Sequence, residues 1–408
     1  MAYDFPRLLV ATEFPPNASG GGPAVVRQML KHWPVEKLAW WSCLPEESRT
    51  FGQQVSAHSV AAIPRKLYPH LRWREQKSWL LENVWTPWAT GHFRRTLTEL
   101  GPEAVWVIPH QWSIPPLMQV LPSAAMANHV TMQDYMDAAS CRARFGVASS
   151  RRMAAGADHL YRTAATRDAT SHPMIADLAA RTGAQAVQML HAGLEQEDFD
   201  WLARDPGPRG PGAIRIAYAG TVLVEPEFAL FVKVLADLRQ DLPAQVTLEL
   251  FSSHSYRERG WFNPEWIHER GNLPAPQLTE ELRKCSWGFS PMALTDDNPR
   301  YNRFSFPTKF ISYLAAGLPI ITLGHAESSV VKMATAYNLG VCLEVADEPT
   351  LRSRLREALS EPEPGPKFRN AIQACARAEF DARRMRQTLY DCFRRARGGA
   401  EAKNKAVK

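Results

Sequence analysis

Twice in this chain a short, uninterrupted apolar run ends near glycine and gives way to a helical pattern, first over residues 7–30 and again over residues 213–238. A strand buried on both faces has that continuous apolar character, because helices cover it above and below. Residues 7–12 (RLLVAT) lead into the loop 13–22 (EFPPNASGGG), after which Val25, Val26, Met29 and Leu30 recur at helical spacing. Strand, glycine loop and helix in that order open a parallel α/β unit. The runs KLAWWS (37–42), EAVWVIP (103–109), NHVTM (128–132) and AVQML (186–190) repeat the alternation. The N-terminal half therefore reads as doubly wound.

Residues 205–212 (DPGPRGPG) pack three prolines and three glycines into eight positions, a composition that supports neither helix nor strand. The pattern then restarts with strand AIRIAYAGT (213–221), an amphipathic helix and strand QVTLELFS (245–252), so the second half reads as another Rossmann-like domain. Helix and strand patterns keep alternating to VCLEV, and two helical segments then run from about residue 350 to 397. The expected organisation is an N-terminal domain over 1–204, a linker at 205–212, a second domain over 213–379, a C-terminal helix over 380–397 and a disordered tail at 398–408. A length of 408 residues suits two domains.

The chain is 45% hydrophobic and 22% charged, the balance of a soluble globular protein. Lysine and arginine number 48 against 42 acids, a scattered excess of +6 that is too small to imply nucleic acid and suits an anionic ligand or surface. The six cysteines are widely spaced, with no C-x-x-C pair and no zinc-ligand spacing, so reduced thiols are expected. The first residues lack the basic and long apolar regions of a secretory signal, and no stretch reaches the roughly 20 apolar residues of a spanning helix. These features predict a cytoplasmic protein, either soluble or peripherally bound on the inner face of a membrane.

Two segments are suited to anion chemistry. Gly20, Gly21 and Gly22 precede a helix whose N–H groups and dipole can face a phosphate; a flexible turn is the other reading of such a run. The loop is not G-x-G-x-x-G, which argues against a nicotinamide site. In FSFPTKFISYLAAGLPIITLG (304–324), Pro307 suits a first helical turn, so Thr308 and Lys309 sit at the positive end of a helix that Gly317 and Pro319 terminate. A lysine there can pair with a diphosphate; a solvated surface lysine is the plainer alternative.

The run PTKFISYLAAGLPII resembles the nucleotide-sugar segment of GT-B fold glycosyltransferases of the family 4 type. In the same order, RLLVATEFPPNASGGGPAVVRQML is similar to that family's first strand and glycine loop. VQMLHAGLEQEDF is similar to its interdomain stretch, IRIAYAGT to the first donor-domain strand, and ERGNLPAPQLTEELRKCSWGFSP to the segment approaching the nucleobase. The resemblance implies an α/β, GT-B architecture of two Rossmann-like domains facing a cleft, with a C-terminal helix crossing back to the first domain. It implies a donor sugar nucleotide held by Gly20, Gly21, Gly22, Gly220, Thr221, Asn272, Leu273, Arg303, Ser305, Thr308, Lys309 and Ser312. The family's two glutamates, eight positions apart, align here with Phe304 and Ser312, and the basic residue that often follows the donor-domain glycine is replaced by Thr221, Val222 and Leu223. Lys309, helped by Arg303, would then carry more of the phosphate charge. No metal or other cofactor is assigned, since Asp296 and Asp297 sit in a turn-like LTDDNP.

For the acceptor, Asp134 and His110 lie at strand ends in the first domain and are the candidate catalytic groups; a helix N-cap and a satisfied loop histidine are the alternatives. Residues 65–97 combine Trp73, Trp79, Trp85 and Trp88 with Arg74 and other cations. That mix suits an acceptor or membrane face, or else a packed core with solvated charges. The expected activity is metal-independent transfer of a sugar from a nucleotide-diphosphate sugar to a glycan, lipid-linked or small-molecule acceptor, with Lys309 and the Gly20–Gly22 loop stabilising the departing diphosphate. The alternative is a catalytically degenerate GT-B protein that binds a nucleotide or glycan or serves as a partner subunit, prompted by the missing acids at 304 and 312.

Overall fold

A computed structural model describes residues 4–18, 20–46, 52–68, 72–123, 126–204, 213–242, 244–361 and 364–406, with backbone alone for 397–406. The chain divides into two compact units, Met1–Ala192 with Ala382–Lys408, and Gly193–Asp381. The predicted linker 205–212 lies outside the described residues.

The first unit holds six parallel strands, β1 (Leu8–Ala11), β2 (Leu38–Ser42), β3 (Ala57–Val60), β4 (Ala104–Val107), β5 (Asn128–Met132) and β6 (Thr166–Ala169), in the order 3-2-1-4-5-6. The second repeats this order with β7 (Ala213–Ala219), β8 (Gln245–Phe251), β9 (Ile267–Glu269), β10 (Trp287–Pro291), β11 (Ile320–Leu323) and β12 (Gly340–Leu343), arranged 12-11-10-7-8-9. Both are doubly wound parallel sheets whose strand order reverses between the first and fourth strands, β1/β4 and β7/β10. The central strands are buried throughout, as their unbroken apolar runs require. The edge strands β3 and β9 are half-exposed and polar, so they lack that signal in the sequence. The run AVQML contributes a single bridge, Ala169 to Met189, rather than a strand.

Residues 193–204 belong to the second unit because helix Gln196–Ala203 is packed into it. Arg283 lies 4.2 Å over the Trp201 ring, and Gln373 donates to the Leu202 carbonyl at 2.6 Å. Three helices, not two, follow β12: Glu348–Leu359, Gly365–Glu379 and Ala382–Ala406. The last packs on the first unit, where Met385, Leu389, Tyr390 and Phe393 join the core of Leu8, Val10 and Trp106, and the Tyr390 hydroxyl donates to Met29 O at 2.8 Å. It runs through Ala406, past the expected stop at 397, because the alanines, glutamate and lysines there are good helix formers.

Helix Thr308–Ala315 is fixed to the second sheet by Tyr313, whose hydroxyl accepts from Ala219 N at 3.0 Å and donates to Phe289 O at 2.9 Å. Gly288 of β10 leaves the room for that ring: a Cβ there would lie 2.5 Å from Tyr313 Cγ. Gly288→Ala is therefore expected to lower stability by about 1–3 kcal/mol through overpacking. Tyr313→Phe should lose a comparable ~1–3 kcal/mol by orphaning the buried Ala219 N–H. Chemical denaturation checks both, and an unchanged midpoint in either variant would show that this anchor is not rigid.

Candidate functional site

In an open α/β sheet, ligands bind beyond the carboxyl ends of the strands where the strand order reverses. At that place in the first unit the polypeptide carries Glu13 after β1, His110 after β4, and Gln133 and Asp134 after β5. Glu13 is 1% exposed, and its carboxylate accepts from His110 Nδ1 at 2.9 Å and from Trp112 N at 3.3 Å. The opposite ring nitrogen, His110 Nε2, lies 3.6 Å from Asp134 Oδ2. Burial opposes charging the ring, but the hydrogen bond and charge of Glu13 outweigh it and Asp134 adds to them, so the His110 pKa rises above the ordinary imidazole value. The peptide around the histidine is fixed by Ser113 Oγ, which accepts from His110 N and donates to His110 O, and by a left-handed Gln111 at φ 41°. A buried carboxylate on Nδ1 orients the imidazole and leaves Nε2 to exchange a proton or hydrogen-bond a hydroxyl.

The glycine loop joins this cluster. Gly20 caps helix Gly21–Met29 at φ 112°, and Gln133 Nε2 donates to Gly22 O at 3.4 Å; a Cβ at Gly22 would lie 2.5 Å from the Gln133 amide oxygen. Gly22, His110 and Asp134, chosen from the sequence, are thus gathered at one sheet end. Glu13 was missed, although an acid immediately beyond the first buried strand and ahead of the glycine loop was a readable sign.

In the second unit, β7 ends at Gly220, φ 101°, and a Cβ there would sit 4.0 Å from Lys309 Cε. The Lys309 ammonium donates to the Tyr218 hydroxyl at 2.6 Å and lies 3.9 Å from the centre of that ring, while Tyr218 donates to Thr221 O at 2.7 Å. Lys309 is half-buried, and dehydration pulls its pKa down to about 7 with no carboxylate among the described residues acting against it. Tyr218 is itself pushed well up by burial, so it stays a neutral phenol. Thr308, Lys309 and Ser312 occupy one face of the helix that begins at Thr308. Gly220, Thr221, Thr308, Lys309 and Ser312 are therefore grouped; Tyr218, inside its strand, gave no sequence signal beyond being a polar aromatic in an apolar run.

Other predicted residues are placed differently. Arg303 is ion-paired with Asp296, which occupies its guanidinium. The Ser305 carbonyl accepts from Ser329 Oγ. Asn272 and Leu273 form the turn between β9 and helix Ala275–Arg283, with Asn272 exposed. Trp73, Trp79 and Trp88 are exposed, but Trp85 is buried and donates to Ala62 O at 3.2 Å, so it is a core residue and not part of a surface. A depression of about 570 Å³ at the β9 edge is lined by Arg257, His268 and Arg270, whose partners Glu269 and Glu249 already offset their charge. Among the described residues, no group of three or more His, Cys, Asp or Glu is placed to hold a metal ion, and no helix is long and apolar enough to cross a membrane.

Residues 231–356, which include Lys309 and its helix, match the family model described as glucosyltransferase 3-like, C-terminal domain. No curated protein sequence matches the chain significantly. Among solved structures, the chain is similar to the sucrose-phosphate synthase of Thermosynechococcus elongatus, at 14% identity and TM-score 0.66 over 95% of this chain and 98% of that one. It is similar to the α,α-trehalose 6-phosphate synthase of Burkholderia multivorans, at 12% identity and TM-score 0.63 over 98% of both chains. It is also similar to Anabaena HepE in complex with UDP and glucose, at 12% identity and TM-score 0.60 over 95% of this chain and 98% of that one. With two parallel six-stranded sheets of identical winding and these neighbours, the chain has the GT-B glycosyltransferase fold.

Proposed function

We propose that this protein is a glycosyltransferase that binds a nucleoside diphosphate sugar at Lys309 of its second unit and transfers the sugar to an acceptor hydroxyl held near His110 of its first. The observation that carries the reading is the Lys309 ammonium, half-buried beside Gly220 at a sheet switch point and without a carboxylate partner among the described residues. A cation kept in that condition gains most when a dianion arrives. HepE, seen with UDP and glucose, supports the ligand class.

As the bond from the anomeric carbon to the diphosphate oxygen breaks, its electron pair passes to the diphosphate. Lys309 and the N-terminal amides of helix Thr308–Ala315 then meet more negative charge than in the ground state, and that difference lowers the barrier. The reaction is written without a metal because Lys309 supplies the compensating charge. The acceptor hydroxyl forms the new bond to the anomeric carbon and gives up its proton; His110, aligned by Glu13, is the group we assign to receive it, with Asp134 orienting the same hydroxyl. Phe304 and Ser312, standing where the resembling family carries acids, favour the second reading, a protein that binds the nucleotide without transfer.

Thermal-shift titration with UDP, GDP, ADP and TDP should give a stabilising ligand whose effect disappears in Lys309→Ala. A shift that survives in the variant would remove Lys309 from the site. Affinity for that diphosphate should weaken by about tenfold per pH unit above 7, because the free lysine must gain a proton to bind. Calorimetry in buffers of different ionisation heat should then show proton uptake, and its absence above pH 7 would contradict the assignment. Glu13→Gln removes the charge that raises the His110 pKa, so the limb of the pH–rate profile due to His110 should move to lower pH by about one unit. An unmoved limb would exclude His110 as the titrating group, and nucleotide binding without transfer or hydrolysis across sugar donors would favour the second reading.

A further inference from the structure

Nine large hydrophobic side chains are exposed among the described residues, and six of them, Trp73, Trp79, Leu80, Val84, Trp88 and Val147, lie on neighbouring segments of the first unit. Five come from a continuous helical stretch, made of helix Arg74–Leu80, the wide turn Leu81–Trp85 and helix Thr86–Leu100, or from the residue before it. Its buried side is Ser78, Leu81, Trp85, Thr86, Ala89, Thr90 and Phe93, so the packing core is already supplied and the outer row is surplus to it. The exposed Val147 lies in a segment packed beside this stretch, since Ser78 Oγ donates to Phe145 O at 2.9 Å, Arg74 to Ala143 O at 3.1 Å, and Arg152 Nε to Glu82 at 3.2 Å.

The tryptophans are not grazing exposures. Trp73 is 60% exposed, Trp79 59% and Trp88 49%. Trp73 also takes a left-handed backbone conformation, φ 62°, which is costly for a bulky residue. Leu80, Val84 and Trp88 follow one another at four-residue intervals through the wide turn, forming an outward row. Around it stand the exposed arginines Arg72, Arg74, Arg94, Arg95, Arg142, Arg151 and Arg152. The nearby acids are Glu75 and Glu82, engaged by Arg74 and Arg152, and the exposed Glu99 one helical turn beyond Arg95, so the arginines remain in excess. Indole rings that bury an apolar body while keeping the N–H wet, ringed by an excess of guanidinium groups, match the interface of a bilayer carrying anionic headgroups.

We propose that this face docks the protein on an anionic lipid surface, with Trp73, Trp79 and Trp88 inserted at headgroup depth and Arg94 and Arg95 among the lipid phosphates. The inference stands apart from the transfer reaction, since it needs neither nucleotide nor acceptor.

Co-sedimentation of the full chain, without nucleotide, with vesicles of phosphatidylcholine or of phosphatidylcholine and phosphatidylglycerol tests it. Binding should require phosphatidylglycerol, weaken with added salt, and fall about fivefold for each of Arg94→Gln and Arg95→Gln. Trp79→Ser combined with Trp88→Ser should abolish binding and the blue shift of tryptophan fluorescence that accompanies it. Because these side chains are exposed, thermal midpoints of the variants should stay at that of the parent, which separates lost docking from lost folding. Equal binding to both vesicle types, or none at low salt, would overturn the proposal. So would a concentration-dependent dimer in sedimentation velocity that the double tryptophan variant dissolves, since the face would then be covered by a second copy of the chain.

Discussion

A single ammonium group, folded against a tyrosine and stripped of much of its water, organises the second unit. Lys309 owes its position to the helix that begins at Thr308, and that helix owes its position to Tyr313, clamped between Ala219 and Phe289 over the space that Gly288 leaves open. The same β7 strand that receives the tyrosine clamp ends at Gly220, beside the lysine. Packing and the proposed anion site therefore share parts. A lysine with a pKa brought to about 7 carries a desolvation cost in its charged form that either loss of the proton or an arriving anion relieves, and this is the physical content of proposing a diphosphate for the site.

The first unit uses the same winding to hold a different kind of group. Its switch point gathers a buried carboxylate, an imidazole aligned by it and a half-exposed aspartate, a set suited to proton exchange with a hydroxyl rather than to binding a dianion. The contrast is electrostatic: a carboxylate with histidine at the end of one sheet, and at the end of the other a lysine with no carboxylate partner among the described residues. Two copies of one topology thus offer complementary chemistry.

The sequence made the two-unit α/β architecture legible because the central strands of a doubly wound sheet are buried on both faces and so read as unbroken apolar runs, as in LLVA and LAWWS. It hid β3 and β9, whose half-exposed edge positions take histidine, serine and glutamate. Lys309, His110 and Asp134 could be picked out as candidates because polar residues at strand ends and helix starts stand out locally. Glu13 and Tyr218 act through partners 97 and 91 residues away, and no local pattern announces such pairings. Trp85 misled for a related reason: one side of an amphipathic helix is core, and only the phase set by the wide turn decides which tryptophan faces inward. The unit boundary fell before residue 193 because helix Gln196–Ala203 uses Phe199 and Leu202 as core, whereas composition marks only where a chain is unlikely to be ordered, not where packing changes hands.

The most direct measurement of the central claim is the separation between Lys309 Nζ and the phosphate oxygens in a crystal structure of the protein with the diphosphate that stabilises it. The account predicts that the ammonium leaves or shares its tyrosine hydroxyl and lies about 2.7–2.9 Å from a diphosphate oxygen. A diphosphate bound elsewhere, with Lys309 still resting on Tyr218, would contradict it.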